Sequence, residues 1–323
     1  MTDANSKPAV VYVGGVPAHA LEALHNHFEV HNYADIADRD AFVREHGDKV
    51  FAAVTNGHDG FSTDWMDALP ALKVISCCGV GYDAIDAVAA NDRGIVVTHT
   101  PNVLNADVAN TAIMLMLATS RQLLRDEAWA RSGKWAAEGN APLTRSIEGA
   151  KVGILGLGRI GETLANKLKA FNCEIHYHTR TRRDHVDHTY HGTAVELAAA
   201  TDFLVVITPG GASTKHLVNR DVLDALGPAG TLINVSRGSV VDEAALVDAI
   251  ADERIHMAGL DVFEHEPGIP DALRASDKVV LLPHVGSATE ETRRAMGDLT
   301  VDNLTHFLRD GKVKTPVPEC AGS

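Results

Sequence analysis

The side chains best equipped for chemistry in this 323-residue chain lie toward its C-terminal end: Arg237 in VSRGSVVDEAAL, Glu266 in GLDVFEHEP and His284 in LLPHVGSAT. An arginine's planar fork holds a carboxylate through paired hydrogen bonds. A histidine exchanges a proton near neutral pH, and a neighbouring carboxylate orients its ring and favours the charged form. Together these groups would serve the reduction of a 2-oxo acid or the oxidation of a 2-hydroxy acid. Each follows an apolar run, TLINV, HMAGLDVF or KVVLLP, that reads as a buried parallel strand. Ligands of open α/β sheets sit beyond the carboxyl ends of the strands, so the three side chains are expected to converge on one crevice.

A second constellation lies upstream. AKVGILGLGRIGETLANKLKAF reads as a short apolar strand, a glycine-rich turn and an amphipathic helix. Gly156, Gly158 and Gly161 have the G-x-G-x-x-G spacing: a tight turn, close backbone approach to a pyrophosphate, and close helix–strand packing. A helix N-terminus binds such an anion. The following strand, CEIHYH, supplies the context that a bare glycine motif lacks. Its end normally carries an acidic residue for the ribose 2′-OH of NAD. Here His178 stands there, followed by Arg180, Arg182 and Arg183, a set suited to a 2′-phosphate. The nearby His185, His188 and His191 match no metal-ligand spacing and read as a surface loop; no metal is expected.

The elements that must position these residues form two α/β modules. Residues 9–15, 49–57, 73–78 and 94–99 read as strands with helices between them, a flavodoxin-like unit without a nucleotide fingerprint. DVANTAIMLMLATSRQLLRDEAWARSG reads as one long helix leading into the second module. From Gly149 to about Pro283, strand and helix alternate about six times, which predicts a parallel doubly wound sheet. ATEETRRAMGDLTVDNLTHFLRDGK closes the chain as an amphipathic helix.

Composition narrows the partners. A length of 323 residues suits two domains. A net charge of −14 argues against nucleic acid and anionic membrane, so an anionic substrate must be drawn by local positive charge. The start, MTDANSKPAV, lacks the pattern of a signal peptide, and apolar stretches such as AIMLMLA are too short to span a bilayer. Cys77, Cys78, Cys173 and Cys320 form no C-x-x-C pair, which points to a reducing compartment, the cytoplasm. The vicinal Cys77 and Cys78 read as small buried residues.

GVGYDAID, TPNVLNADVANTA, GLGRIG, TPGGASTKHL, INVSRGSVVDEAAL, GLDVFEHEP and LLPHVGSATEETRRAM occur in an order that resembles the D-2-hydroxyacid dehydrogenases of the formate/glycerate dehydrogenase type, from about Val10 to Val317. Within the family the chain is most similar to NADPH-preferring glyoxylate/hydroxypyruvate and hydroxyphenylpyruvate reductases. One departure is Asn110, where many relatives carry an acidic residue. The resemblance implies an α/β fold of two Rossmann-like/flavodoxin-like domains with an interdomain cleft. The substrate domain would be discontinuous, residues 1–102 with 288–323, and the dinucleotide-binding domain would be 103–287. It implies NADPH as cofactor, NADH as a weaker alternative, and small 2-oxo acids as substrates. The implied catalytic residues are Arg237, Glu266 and His284, with His284 the proton donor and Glu266, immediately before the proline, its tuning acid. The pyrophosphate would lie along Gly156, Leu157, Gly158, Arg159, Ile160 and Gly161. Thr179, Arg180 and Thr181 would meet the 2′-phosphate, and Thr208, Pro209, Val235, Asp261 and Gly286 would complete the cofactor site. Substrate would touch Val80, Gly81, Arg237 and His284. A homodimer is implied, with Trp135 reaching toward the partner's substrate cleft. Two alternatives stay open: a dinucleotide-sensing, corepressor-like protein of the same fold, and an NAD-dependent dehydrogenase of another substrate, which His178 and the arginines disfavour.

Overall fold

The computed structural model describes residues 7–322, and they form two compact units. The first runs to Leu104 and resumes at Thr289; the second comprises Asn105–Ala288. In the first unit the chain forms β1 (Ala9–Tyr12), α1 (Ala18–His27), β2 (Glu29–Asn32), α2 (Arg39–His46), β3 (Val50–Thr55), α3 (Thr63–Ala68), β4 (Val74–Cys77), α4 (Ala87–Asp92) and β5 (Val96–Thr98). The five strands are parallel in the order β2-β1-β3-β4-β5, the flavodoxin-like order. Side chains alternate across the sheet. Val11, Ala53, Ile75 and Val97 enter a core on one face, whereas Val10, Ala52, Val54 and Val74 enter another. Burial on both faces is why these strands read as unbroken apolar runs.

The second unit begins with α5 (Asn105–Ser120), α6 (Leu123–Arg131) and α7 (Lys134–Glu138). The long helix expected from the sequence is therefore broken. Gln122 adopts a left-handed conformation, φ 50°, and the Thr119 hydroxyl donates back to the carbonyls of Leu115 and Met116. Such back-bonding competes with the helical ladder. There follow β6 (Lys151–Leu155), α8 (Arg159–Leu168), β7 (Glu174–His178), β8 (Thr189–Tyr190), α9 (Ala194–Ala199), β9 (Phe203–Val206), α10 (Arg220–Leu226), β10 (Thr231–Asn234), α11 (Glu243–Ala251), β11 (Met257–Leu260), α12 (Asp271–Arg274) and β12 (Val279–Leu281). The seven parallel strands take the order β12-β11-β10-β9-β6-β7-β8. The order reverses at β6, so the crevice between β6 and β9 is the topological switch point where dinucleotides bind in such sheets. The last helix, α13 (Glu290–Asp310), returns to the first unit, where Ser76 donates to the Thr300 carbonyl at 2.9 Å.

Two further expectations need correction. The short polar segment EVHN forms the edge strand β2, which its composition did not announce. Thr189–Tyr190, inside the histidine-rich segment read as a loop, pairs with β7 as the opposite sheet's edge.

Candidate active site

Arg237, Glu266 and His284 follow β10, β11 and β12, which are neighbours in the sheet. Adjacent parallel strands are about 4.8 Å apart, so the topology alone brings the three loops to one edge of the second unit. His284 Nδ1 lies 2.7 Å from Glu266 Oε2, and Glu266 Oε1 accepts the Phe263 N–H at 3.0 Å. Both carboxylate oxygens are thus committed, one to the imidazole and one to the backbone that carries the glutamate. With Nδ1 so engaged, Nε2 is the nitrogen left to meet a ligand. His284 sits at φ 54°, a left-handed conformation that costs a non-glycine residue about 1–3 kcal/mol and collects at functional sites.

That strained turn is held from behind by Asp261. Its carbonyl accepts the His284 N–H at 2.8 Å, and its carboxylate accepts the N–H groups of Val285 at 2.7 Å and Gly286 at 2.8 Å. Asp261 is only 1% exposed. Burial pushes its carboxyl above the usual carboxylate range, against the pull of those two N–H bonds. Asp261 and Gly286, both expected at the cofactor site, are thus bonded to each other at the loop that carries His284. Asn234, at the end of β10, was not anticipated. It donates to the Arg237 carbonyl at 3.0 Å and accepts from the backbone and hydroxyl of Ser236. The Arg237 guanidinium donates to the Ser236 carbonyl at 2.9 Å. A Cβ at Gly238 would fall 1.8 Å from the Phe263 carbonyl carbon, so only glycine lets the arginine loop close on the glutamate loop. Beside them His216 pairs with Glu264 at 2.9 Å, leaving Glu266 to His284, while His265 is exposed.

At the switch point, the three glycines of the motif have three different surroundings. Gly156 has φ 106°, and a Cβ there would meet the backbone of Ile207 and Thr208 at 2.9 Å. A Cβ at Gly161 would lie 2.5 Å from the Gly156 carbonyl oxygen. Gly158 has nothing within 4 Å. It is the N-cap of α8 and offers no side-chain cap, so the first-turn N–H groups from Arg159 and Ile160 onward remain available. Leu157 is buried and anchors the turn. The Thr208 hydroxyl, beside Pro209 at the end of β9, is buried without a hydrogen-bond partner among the described residues. Val235 donates its N–H to Val206 across the same strand ends. An open glycine, an uncapped helix N-terminus and an orphaned hydroxyl fit a dinucleotide's pyrophosphate and ribose oxygens.

At the end of β7, His178 Nδ1 lies 2.9 Å from the His191 carbonyl, which fixes the ring where an acidic residue often stands. The Thr179 hydroxyl donates to the Thr181 carbonyl at 2.7 Å and shapes the turn. Arg180, Arg182 and Arg183 are exposed, and none forms an ion pair among the described residues.

In the first unit, Val80 and Gly81 follow β4. Their N–H groups find no acceptor among the described residues, whereas the Val80 carbonyl is held by His99 Nδ1 at 3.0 Å. Cys77 and Cys78 are buried as expected, none of the four cysteines is in a disulfide, and burial raises the Cys78 thiol above its usual range.

The family model for the NAD binding domain of the D-isomer specific 2-hydroxyacid dehydrogenases matches residues 113–286. The chain belongs to that family. It is 43% identical to the hydroxyphenylpyruvate reductase of Plectranthus scutellarioides, over 92% of this chain and 94% of that protein. It is 42% identical to a glyoxylate/hydroxypyruvate reductase A of Arabidopsis thaliana, over 91% and 94%. The crystal structure of an NADPH-dependent glyoxylate/hydroxypyruvate reductase from Sinorhizobium meliloti, in complex with NADP and malonate, superposes with a TM-score of 0.91 at 47% identity, covering 98% of each chain.

Proposed function

We propose that this protein is an NADPH-preferring reductase of small 2-oxo acids of the glyoxylate/hydroxypyruvate type, yielding D-2-hydroxy acids. The observation that carries the reading is the His284–Glu266 pair, 2.7 Å apart and mounted on a strained turn beside the Arg237 loop. NADPH, when bound, supplies the hydride. Gly156, Leu157, Gly158, Arg159, Ile160 and Gly161 hold its pyrophosphate, with Thr208, Pro209 and Val235 at the adjoining strand end. Thr179, Arg180 and Thr181 take the 2′-phosphate. Asp261 and Gly286, which also fix the His284 turn, complete the cofactor site. Arg237 grips the substrate carboxylate and stabilises the carbonyl oxygen as negative charge grows on it. His284 delivers a proton to that oxygen from Nε2, and Glu266 holds the imidazolium in orientation while the ring is charged. Val80 and Gly81 offer two free N–H donors of the kind a carboxylate takes.

We also propose a homodimer acting in the cytoplasm; that none of the four cysteines is in a disulfide supports the compartment. None of the helices among the described residues is long and apolar enough to cross a membrane.

The test is a panel of 2-oxo acids, from glyoxylate to hydroxyphenylpyruvate, assayed with NADPH and with NADH. Turnover of at least one with NADPH is expected. Tight NADPH binding without turnover of any would overturn the enzyme reading in favour of a dinucleotide sensor.

A further inference from the structure

A second cluster of ligating side chains lies on the first unit, on elements that carry none of Arg237, Glu266 and His284. Glu29 and His31 are two residues apart on β2 and so face the same side of the sheet. His46 is the last residue of α2. The chain folds so that the His31 and His46 rings come to 4.5 Å between centroids, with Phe42 packed edge-on against His31 at 5.2 Å. His31 Nε2 is 3.4 Å from Glu29 Oε1, and His46 Nε2 is 3.7 Å from Glu45 Oε1. One ligand atom from each of Glu29, His31 and His46 lies within 4.8 Å of the other two.

The hydrogen-bond accounting singles this cluster out. His31 Nε2 and His46 Nδ1 are both buried, and neither has a hydrogen-bond partner among the described residues. An unsatisfied buried polar atom costs about 1–3 kcal/mol, and here two of them belong to adjacent rings. Burial, with His46 beside it, holds His31 below the usual histidine range. A neutral imidazole has one ring nitrogen with a lone pair to offer a cation. Glu29 and Glu45 add negative potential, which a cation would neutralise.

We propose that Glu29, His31 and His46 form a binding site for a divalent cation of the zinc class. Imidazole nitrogen with a single carboxylate suits zinc and its borderline neighbours; calcium and magnesium demand more oxygen ligands. Ligands at about 2.0–2.2 Å around a tetrahedral zinc lie ~3.4 Å from each other, which the Glu29–His31 pair already matches at 3.4 Å. His46 completes the set by a small rotation, and Glu45 or water takes the fourth position. The ion would clip α2 to β2, the open edge of the sheet, where an unpaired strand is otherwise exposed to pairing with other chains. Its role is structural. The sequence conceals such a site because the ligands come from a strand and a helix, with no cysteine pair and no histidine pair at helical spacing.

The experiment uses the full-length, tag-free protein after treatment with a chelator and dialysis, without cofactor. Titration with cobalt(II) should give the visible absorption of a tetrahedral nitrogen/oxygen site, saturating at one ion per chain, and zinc should displace it. Zinc should also raise the melting temperature. His31→Gln and His46→Gln should each weaken binding by at least about tenfold, since even the partners that merely orient ligands cost 10- to 100-fold. Glu29→Gln, at an exposed position, provides a variant whose folding is not in question and should weaken binding as well. His188→Gln, in the histidine-rich segment of the second unit, should leave binding unchanged. Absence of saturable binding by the wild type would overturn the proposal, as would binding that survives all three ligand substitutions or that is lost with His188→Gln.

Discussion

Glu266 does two things at once, and that makes a single-atom test available. One oxygen accepts from the Phe263 N–H and the other faces His284 Nδ1. A glutamine has one acceptor and one NH2 group, so Glu266→Gln must either leave the Phe263 N–H unsatisfied or present a donor to Nδ1. The second choice forces the proton onto Nε2 of a neutral ring and removes the orienting charge. By analogy with the loss when a histidine's orienting aspartate becomes an amide, kcat should fall by about 10²–10⁴-fold with little change in the melting temperature. His284→Ala should lower kcat by roughly 10²–10⁴-fold, the usual range for general acid catalysis. Near-normal turnover in the His284 variant would remove it as proton donor. At the other end of the proposed cofactor site, Arg180 is the charge expected to discriminate. A charge-assisted hydrogen bond is worth about 1.5–3 kcal/mol, so Arg180→Ala should lower kcat/KM for NADPH roughly 10- to 150-fold. The NADH value should barely move, because NADH carries no 2′-phosphate to hold. Arg182 and Arg183, also exposed and without ion pairs among the described residues, would pull the effect toward the lower figure. Equal losses with both cofactors would show that the loop does not read the phosphate.

The glycine-rich turn lets packing and ligand binding be separated within one element. A methyl group at Gly161 would press on the Gly156 carbonyl at 2.5 Å, a backbone atom that cannot step aside. Gly161→Ala should therefore cost about 1–3 kcal/mol of stability, seen as a melting temperature lower by several degrees. At Gly158 a methyl group meets nothing within 4 Å. Gly158→Ala should fold almost as well as wild type and yet bind NADPH about 5- to 150-fold more weakly, because what it strikes is the bound pyrophosphate. Equal affinity in that variant would place the pyrophosphate elsewhere. The same element shows what a sequence makes legible. Strand, glycine turn and helix were readable because their periodicity changes abruptly, and Arg237, Glu266 and His284 were readable because each closes an apolar run. The edge strand EVHN was not, since an edge strand is short and polar and has no buried pattern to display. The break after Ser120 was hidden by residues that are all acceptable in helices; it depends on the Thr119 back-bonds and the left-handed Gln122. The structural bonds of Asp261 could not be read from the sequence. Its commitment to the amides of Val285 and Gly286 depends on a tertiary approach between loops 24 and 25 residues apart.

At the scale of the whole molecule, the second unit holds apolar side chains away from its own core. Met114, Leu123, Leu124, Trp135 and Leu143 are all exposed, Trp135 by 64% and Leu143 by 99%. This is not the result of a slack segment. Arg125 donates to the Pro142 carbonyl at 2.9 Å and Arg121 to the Thr144 hydroxyl at 3.0 Å, pinning the backbone on both sides of Leu143. The indole N–H of Trp135 is held by Asn140 at 3.1 Å and that of Trp129 by the Gly139 carbonyl at 3.0 Å. An arm ordered by polar bonds that presents leucine and tryptophan outward would suit a partner surface, and a second copy of the chain is the occupant already proposed. The chain's −14 charge opposes self-association at long range, so the contact must rest on apolar burial, which salt does not screen. Sedimentation at micromolar concentration should give about twice the 34.4 kDa of one chain, and raising the salt should not dissociate it. Leu143→Glu then becomes a clean probe. At 99% exposure the leucine contributes nothing to the fold of a single chain, so the substitution should change monomer stability by less than about 0.5 kcal/mol. In a dimer that buries it, the lost burial alone is worth about 1.5–3 kcal/mol, a ~10- to 150-fold weaker association, before the cost of the buried charge. A wild-type monomer would end the dimer proposal, and a Leu143→Glu protein that stays fully dimeric would move the interface away from this arm.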